Sequence, residues 1–181
     1  MSTMKTQPPC TAQRVPQSMG PFLSAFHRAV RGLLDADVSF RLAEDMYAVF
    51  EMKSAVYALA FLAVGFSRHA RMTEITAEEQ PRKIGLHITG ECRVAGKSLS
   101  YGDLLPEGEM CRRLLDDCLT QNRMACVASE QDGRLSLHIV FPRFLADEYN
   151  ICAVDADDVR NRFYDAMLVL AGEEPKAPMP E

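Results

Sequence analysis

Apolar positions are distributed unevenly along this chain. Their densest run lies between Asp37 and Arg68, where Glu51, Lys53 and Ser54 are the only strongly polar residues from Met46 to Phe66. Ala, Leu, Met, Phe, Tyr and Val fill the rest, with no proline. The run is too long for a strand, so the pattern predicts one long helix, apolar on all sides. A helix without a wet face has to be surrounded. Ahead of it, Phe22, Phe26, Val30 and Leu33 recur at helical spacing in a shorter helix. The break at Asp35–Asp37 is short enough to fold that helix back on the long one as a hairpin.

The pattern changes after Pro81. Ile84, Leu86 and Ile88 alternate with Gly85, His87 and Thr89, the period of a strand with one buried face. Cys92–Ser100 reads as a short hairpin turning at Ala95-Gly96-Lys97. Asp103 caps a helix through about Gln121, with Pro106 in its first turn. Strands near Arg123–Ser129 and Arg134–Phe141 meet at Asp132-Gly133, a favoured hairpin dipeptide. Tyr149–Val154 reads as a further strand, and Asp155 caps a last helix with Val159, Phe163, Met167 and Leu170 on one face.

Together these elements predict an α+β fold. An N-terminal helical hairpin with one long apolar helix precedes a small, mostly antiparallel sheet with helices on one face. The proline-rich, polar stretches 1–20 and 172–181 read as flexible tails. They bracket a single domain, 21–171, with a helical part at 21–72 and a sheet-containing part at 82–171. Thr73–Gln80, which carries three glutamates, reads as the boundary between those parts.

Composition narrows the function classes. A formal net charge of −5 over 181 residues argues against nucleic acid as a partner, because a phosphate backbone selects clustered positive charge. Six cysteines are spread singly, without a CxxC pair, and residues 1–20 lack the apolar segment of a secretory signal. Reduced thiols in a cytoplasmic protein follow. A membrane span needs about 20 apolar residues. Glu51 and Lys53 break the one window of that length, and the uninterrupted part, Ala55–Phe66, is too short.

Among residues that carry chemistry, His87 and His138 are the most informative. Both fall on the non-core phase of a strand. If those strands are neighbours, the two rings meet on an open sheet face and form a candidate ligand-binding pair, with Cys92 or a carboxylate as third donor. No HxxxH or CxxC spacing marks a metal site, and no cofactor motif is present: GxGxxG, P-loop, GxSxG and HExxH are all missing. Cys111 and Cys118 share one face of a helix within an apolar stripe and read as core thiols. The neighbouring charges Glu109, Arg112, Arg113, Asp116 and Asp117 form i,i+4 pairs on its wet face.

One resemblance to a known family follows from CRRLLDDCLT (Cys111–Thr120) and DGRLSLHIV (Asp132–Val140). They resemble the LLxNAxK helix and the following strand of histidine-kinase ATP-binding domains. Asp117 stands where that family has a metal-binding Asn, and no DxGxG or later glycine box is present. The resemblance implies a degenerate ATPase-like domain behind a helical hairpin, as in a histidine phosphotransfer protein. His27, on the first helix, is then the candidate phosphoacceptor.

The expected function is that of a non-enzymatic regulatory or adaptor protein. Two apolar lines on the long helix predict one intrachain face and one intersubunit face. The second, through Phe50, Tyr57, Phe61 and Val64, makes a homodimer, with another protein as further partner. A sensor using His87 and His138 and a phosphotransfer protein using His27 are the alternatives.

Overall fold

The structure is a computed structural model that describes residues 14–42, 45–144 and 151–172. The short β1 (Val15–Ser18) leads into α1 (Met19–Leu33). Two strands follow, β2 (Ser39–Leu42) and β3 (Tyr47–Phe50), and then α2 (Met52–His69). A long hairpin, β4 (Ala70–Glu79) and β5 (Lys83–Cys92), leads to the single-turn α3 (Tyr101–Leu104) and to α4 (Glu109–Gln121). The hairpin of β6 (Ala125–Gln131) and β7 (Arg134–Pro142) precedes α5 (Ala156–Gly172). The α+β class is as the sequence predicts.

The main sheet has five strands in the order β2-β4-β5-β7-β6; β1 and β3 form a separate antiparallel pair. Every pairing in the main sheet is antiparallel except that of β2 with β4. Its inner face presents Ile75, Ile84, Leu86, Ile88, Leu135, Leu137, Ile139 and Phe141, all fully buried. The Asp132-Gly133 turn forms as expected, with φ of 54° and 80°, the left-handed pair that a tight hairpin requires.

The region before α2 departs from expectation. The apolar run is not one helix from Asp37 onward, and α1 and α2 do not form a hairpin, because β2 and β3 stand between them. Local signals account for this. Tyr47, Ala48, Val49 and Phe50 alternate outward and inward in strand period, with Ala48 and Phe50 buried. Glu51 then caps α2 by accepting the Lys53 and Ser54 N–H groups at 3.0 and 2.9 Å. Two residues that looked like interruptions of a helix are its start. The helix therefore has 18 residues, about 27 Å.

Three boundaries also move. Residues 14–20 belong to the folded part: β1 pairs with β3, and the buried Gln17 donates its side-chain amide to the Phe50 carbonyl at 2.9 Å. Thr73–Gln80 lies mostly in β4, which buries Met72 and Ile75 and turns Glu74 and Glu78 to the outer face, while Glu79, opposite Ile84, pairs with Arg143 at 2.9 Å. The division into a helical part and a sheet part does not hold either, since β2 joins the main sheet through β4. Cys92 ends β5 instead of opening a hairpin. Extended backbone at Leu105, enforced by Pro106, separates α3 from α4. The expected strand Tyr149–Val154 reduces, in its described part, to one bridge between Gln17 and Cys152. Residues 1–13 and 173–181, most of the two expected tails, lie outside the described residues, as does Cys10.

Candidate functional site

Strand register brings His87 and His138 together. They are direct partners across β5 and β7, in a row that also holds Thr76 of β4 and Val127 of β6. All four lie on the face opposite the buried isoleucines and leucines. The imidazoles stack with centroids 4.1 Å apart and planes 12° from parallel. Beside them, Gly85 lets the His138 ring lie against the backbone of β5: a Cβ there would stand 2.8 Å from His138 Nε2 and 3.5 Å from His87 Nε2. Glu78, the partner of Gly85 on β4, brings its Oε2 to 3.6 Å from His87 Nε2, too long for a hydrogen bond. His138 Nε2 is shielded from water and has no hydrogen-bond partner. Desolvation and the neighbouring His87 lower the His138 pKa, which favours a neutral ring.

A second cluster of polar contacts lies where α2, α3 and α4 meet. A Cβ on Gly65 of α2 would fall 1.9 Å from the Leu104 carbonyl oxygen, so α3 rests directly on the helix backbone. Arg68 donates to the Leu105 carbonyl at 3.2 Å and His69 Nε2 donates to that of Asp103 at 2.9 Å. At the other end of α2, the fully buried Asn122 accepts the Glu51 N–H at 2.7 Å. Its amide donates to Ser54 Oγ at 2.8 Å and to the Cys118 carbonyl at 2.9 Å.

The third feature is apolar. Met110, Leu168 and Val169 stand 73%, 53% and 38% exposed, an unusual cost for large apolar side chains. Met110 and Val169, with Leu114, line a groove of about 560 Å3 between α4 and the end of α5, with Arg113 and Asp117 at its rim. Tyr164, one turn before Leu168 on α5, is 49% exposed.

Other residues singled out in the sequence lie elsewhere. Phe50 and Phe61, expected at an intersubunit face, are buried by this chain's own elements. Phe50 sits on β3 against Phe22 and Phe141. Tyr57 and Val64 are half-buried. The apolar surface of α2 is covered within the chain, because α5, α4 and the start of β4 all pack on it. His27 stacks on Phe40 at 5.3 Å and its Nε2 donates to the Val38 carbonyl at 2.7 Å, so α1 offers no exposed hairpin histidine. Cys111 and Cys118 are buried, as expected. Cys92 is the register partner of Ala70, several residues along β5 from His87. Asp117 is exposed on α4. Sequence reasoning missed Gly65, Gly85 and Asn122; only the strand alternation around Gly85 offered a signal. Among the described residues no helix is long and apolar enough to cross a membrane.

The sequence matches no family model and no curated protein. Solved structures do share the fold. The Acinetobacter baumannii histidine kinase AdeS superposes with a TM-score of 0.56 at 13% identity, covering 74% of this chain and 68% of that one. The ATP-binding domain of PrrB from Mycobacterium tuberculosis gives 0.51 at 15%, covering 74% and 99%. The catalytic domain of histidine kinase ThkA gives 0.55 at 10%, covering 72% and 97%; ThkA has also been solved in complex with the response regulator protein TrrA. The chain therefore has the fold of histidine-kinase ATP-binding domains.

Proposed function

We propose that this chain is a signalling protein that keeps the fold of histidine-kinase ATP-binding domains but works by binding protein partners, without turning over ATP. The seat of α3 on α2 is the observation that carries this reading. Phosphate sites are built from glycine loops whose backbone N–H groups face an open cleft. Here Gly65 is spent on closing a joint, with the Leu104 carbonyl in the place of its side chain. No DxGxG or glycine box exists elsewhere in the sequence.

The partner surface in this reading is the exposed apolar strip of Met110, Tyr164, Leu168 and Val169. Self-association uses this strip in place of α2, whose apolar faces are already covered. A response regulator is the class of outside partner we propose, by analogy with the complex formed by ThkA.

Two measurements on the full chain test it. Light scattering at micromolar concentration is expected to return a dimer, and Leu168→Asp combined with Met110→Asp a folded monomer. A monomeric wild type removes the self-association. Calorimetric titration with Mg·ATP is expected to show no saturable binding below millimolar concentration. Tight, saturable binding overturns the non-catalytic reading.

A further inference from the structure

We propose that the stacked pair of His87 and His138 is a proton switch on the outer face of the sheet. With both rings neutral they cover the backbone of β5; proton uptake at His138 unstacks them and swings that ring out to water. Register fixes the pair, because the two histidines are direct partners across β5 and β7. Their centroids lie 4.1 Å apart with planes 12° from parallel, so the imidazoles meet face to face and their nitrogens do not converge on one point. Gly85 is what lets His138 settle this deeply. It is buried, and a Cβ there would stand 2.8 Å from His138 Nε2, in space the ring already takes. Glycine inside a strand weakens it, and close approach of another group to the backbone is one of the few reasons to keep one there.

The neutral ring suits this place and the charged ring does not. His138 Nε2 is shielded from water and makes no hydrogen bond. A neutral imidazole can leave one ring nitrogen without a proton, whereas the imidazolium carries an N–H on both. A proton taken from solvent at Nε2 would become a buried donor without an acceptor. The new charge would also lie flat against a second imidazole, and like charges directly opposite each other on a sheet oppose pairing. Rotation of the His138 side chain into water relieves both costs. His87, 37% exposed, is wet before the change.

The surrounding charges set the sign. From β4, Glu78 brings Oε2 to 3.6 Å from His87 Nε2 and favours the proton; from β5, Lys83 opposes it. Further along β4, Glu74 is paired with Arg41 of β2 at 2.8 Å. Arg71, Glu91 and Arg134 stand two rows beyond, the first two paired at 2.6 Å. Next to His138 on this face, β6 and β7 place only uncharged residues, Val127 opposite it and Ser136 and Val140 to either side. Among the described residues, desolvation first and then His87 outweigh Glu78, so the His138 pKa is lowered. With a depressed folded-state value, the stability contributed by the neutral ring is whole above the unfolded value, about 6.5, and is lost as pH falls through the folded one.

Proton NMR of the full chain follows the rings of all four histidines against pH, with His87→Gln and His138→Gln assigning the pair. His138 is expected to titrate below the ordinary histidine value. His87→Gln and Lys83→Ala should move it up, and Glu78→Gln should move it down. As His138 takes up its proton, protection of the Gly85 amide against exchange should fall severalfold relative to the intrinsic rate. Urea unfolding between about pH 7.5 and 5.5 gives a second reading, in which wild type should lose severalfold more of its folded-to-unfolded ratio than His138→Gln. His69→Gln, on α2, should keep the wild-type profile. If His138→Gln fails to fold, the wild-type titration and the Gly85 amide decide. A His138 signal that titrates at or above the ordinary value, as a proton shared between the rings would produce, overturns the proposal. So does a titration that leaves protection at Gly85 unchanged.

Discussion

Gly65 of α2 and Leu104 of α3 meet so closely that a Cβ on the glycine would lie 1.9 Å from the leucine carbonyl oxygen. The obstacle is backbone, so it cannot swing aside as a side-chain tip can. Gly65→Ala is expected to push α3 off α2 and to destabilise the protein by about 1–3 kcal/mol. Gly32→Ala is the matched control, because nothing lies within 4 Å of its added methyl. There the helix should gain up to about 1 kcal/mol from the lost chain entropy of glycine. Urea unfolding of both variants measures the contrast, and equal effects would remove the close contact from the account.

Asn122 ties the end of α4 to the start of α2 through two buried hydrogen bonds, from the Glu51 N–H and to Ser54 Oγ, and makes a third back to the Cys118 carbonyl of α4. Asn122→Ala leaves the Glu51 N–H and Ser54 Oγ without that partner and opens a void. A loss of about 2–4 kcal/mol in unfolding free energy is expected. Asn122→Asp keeps the acceptor for Glu51 but places a second carboxylate beside the Glu51 side chain. Its deficit should therefore shrink as the pH falls through the carboxylate range.

The cysteines should differ sharply in reactivity. Burial pushes the Cys126 thiol up to about 12 and, aided by the Glu51 carboxylate, that of Cys118 up to about 11. At pH 8 about a thousandth or less of either is ionised, and the thiolate is the reactive form. Cys152 is exposed. Among the described cysteines, alkylation mapped residue by residue should label Cys152 first and reach Cys118 and Cys126 only after unfolding. Early labelling of Cys118 would mean that α4 opens from α2 in the native state.

Asp103 gives the α3 joint an acid dependence. Its carboxylate accepts the Ser100 N–H at 2.8 Å, and that hydrogen bond is the main reason its pKa is lowered. A depressed folded-state pKa means that the contribution is present above the unfolded carboxylate value, near 3.9, and is lost as pH falls through the folded value. Asp103→Asn should therefore be less stable than wild type at pH 7. The gap should close once the pH has fallen below that folded value. A gap that persists in strong acid would assign the effect to packing rather than to the charge.

Much of the local structure was legible in the sequence, because neighbouring residues supply their own physical signals. The alternation of Ile84, Leu86 and Ile88, and of Leu135, Leu137 and Ile139, fixed which side of each strand faces the core. Asp132-Gly133 named its turn through left-handed φ values. The same alternation put His87 and His138 on the wet face. The long helix was misjudged at its front, where Tyr47–Phe50 is apolar enough to continue a helix but alternates as a strand. Glu51 was read as an interruption although its carboxylate is the helix cap.

What the chain by itself determined is the class of each element and the inward side of most of them, since periodicity and capping act over a few residues. Only the tertiary structure decided which strands are neighbours, that Gly65 and Gly85 are close-approach positions, and that α5 and α4 cover the apolar surface of α2. Those outcomes depend on pairings between residues far apart in the chain, where many registers satisfy the same local pattern. The choice among them falls to burial of the whole inner face at once.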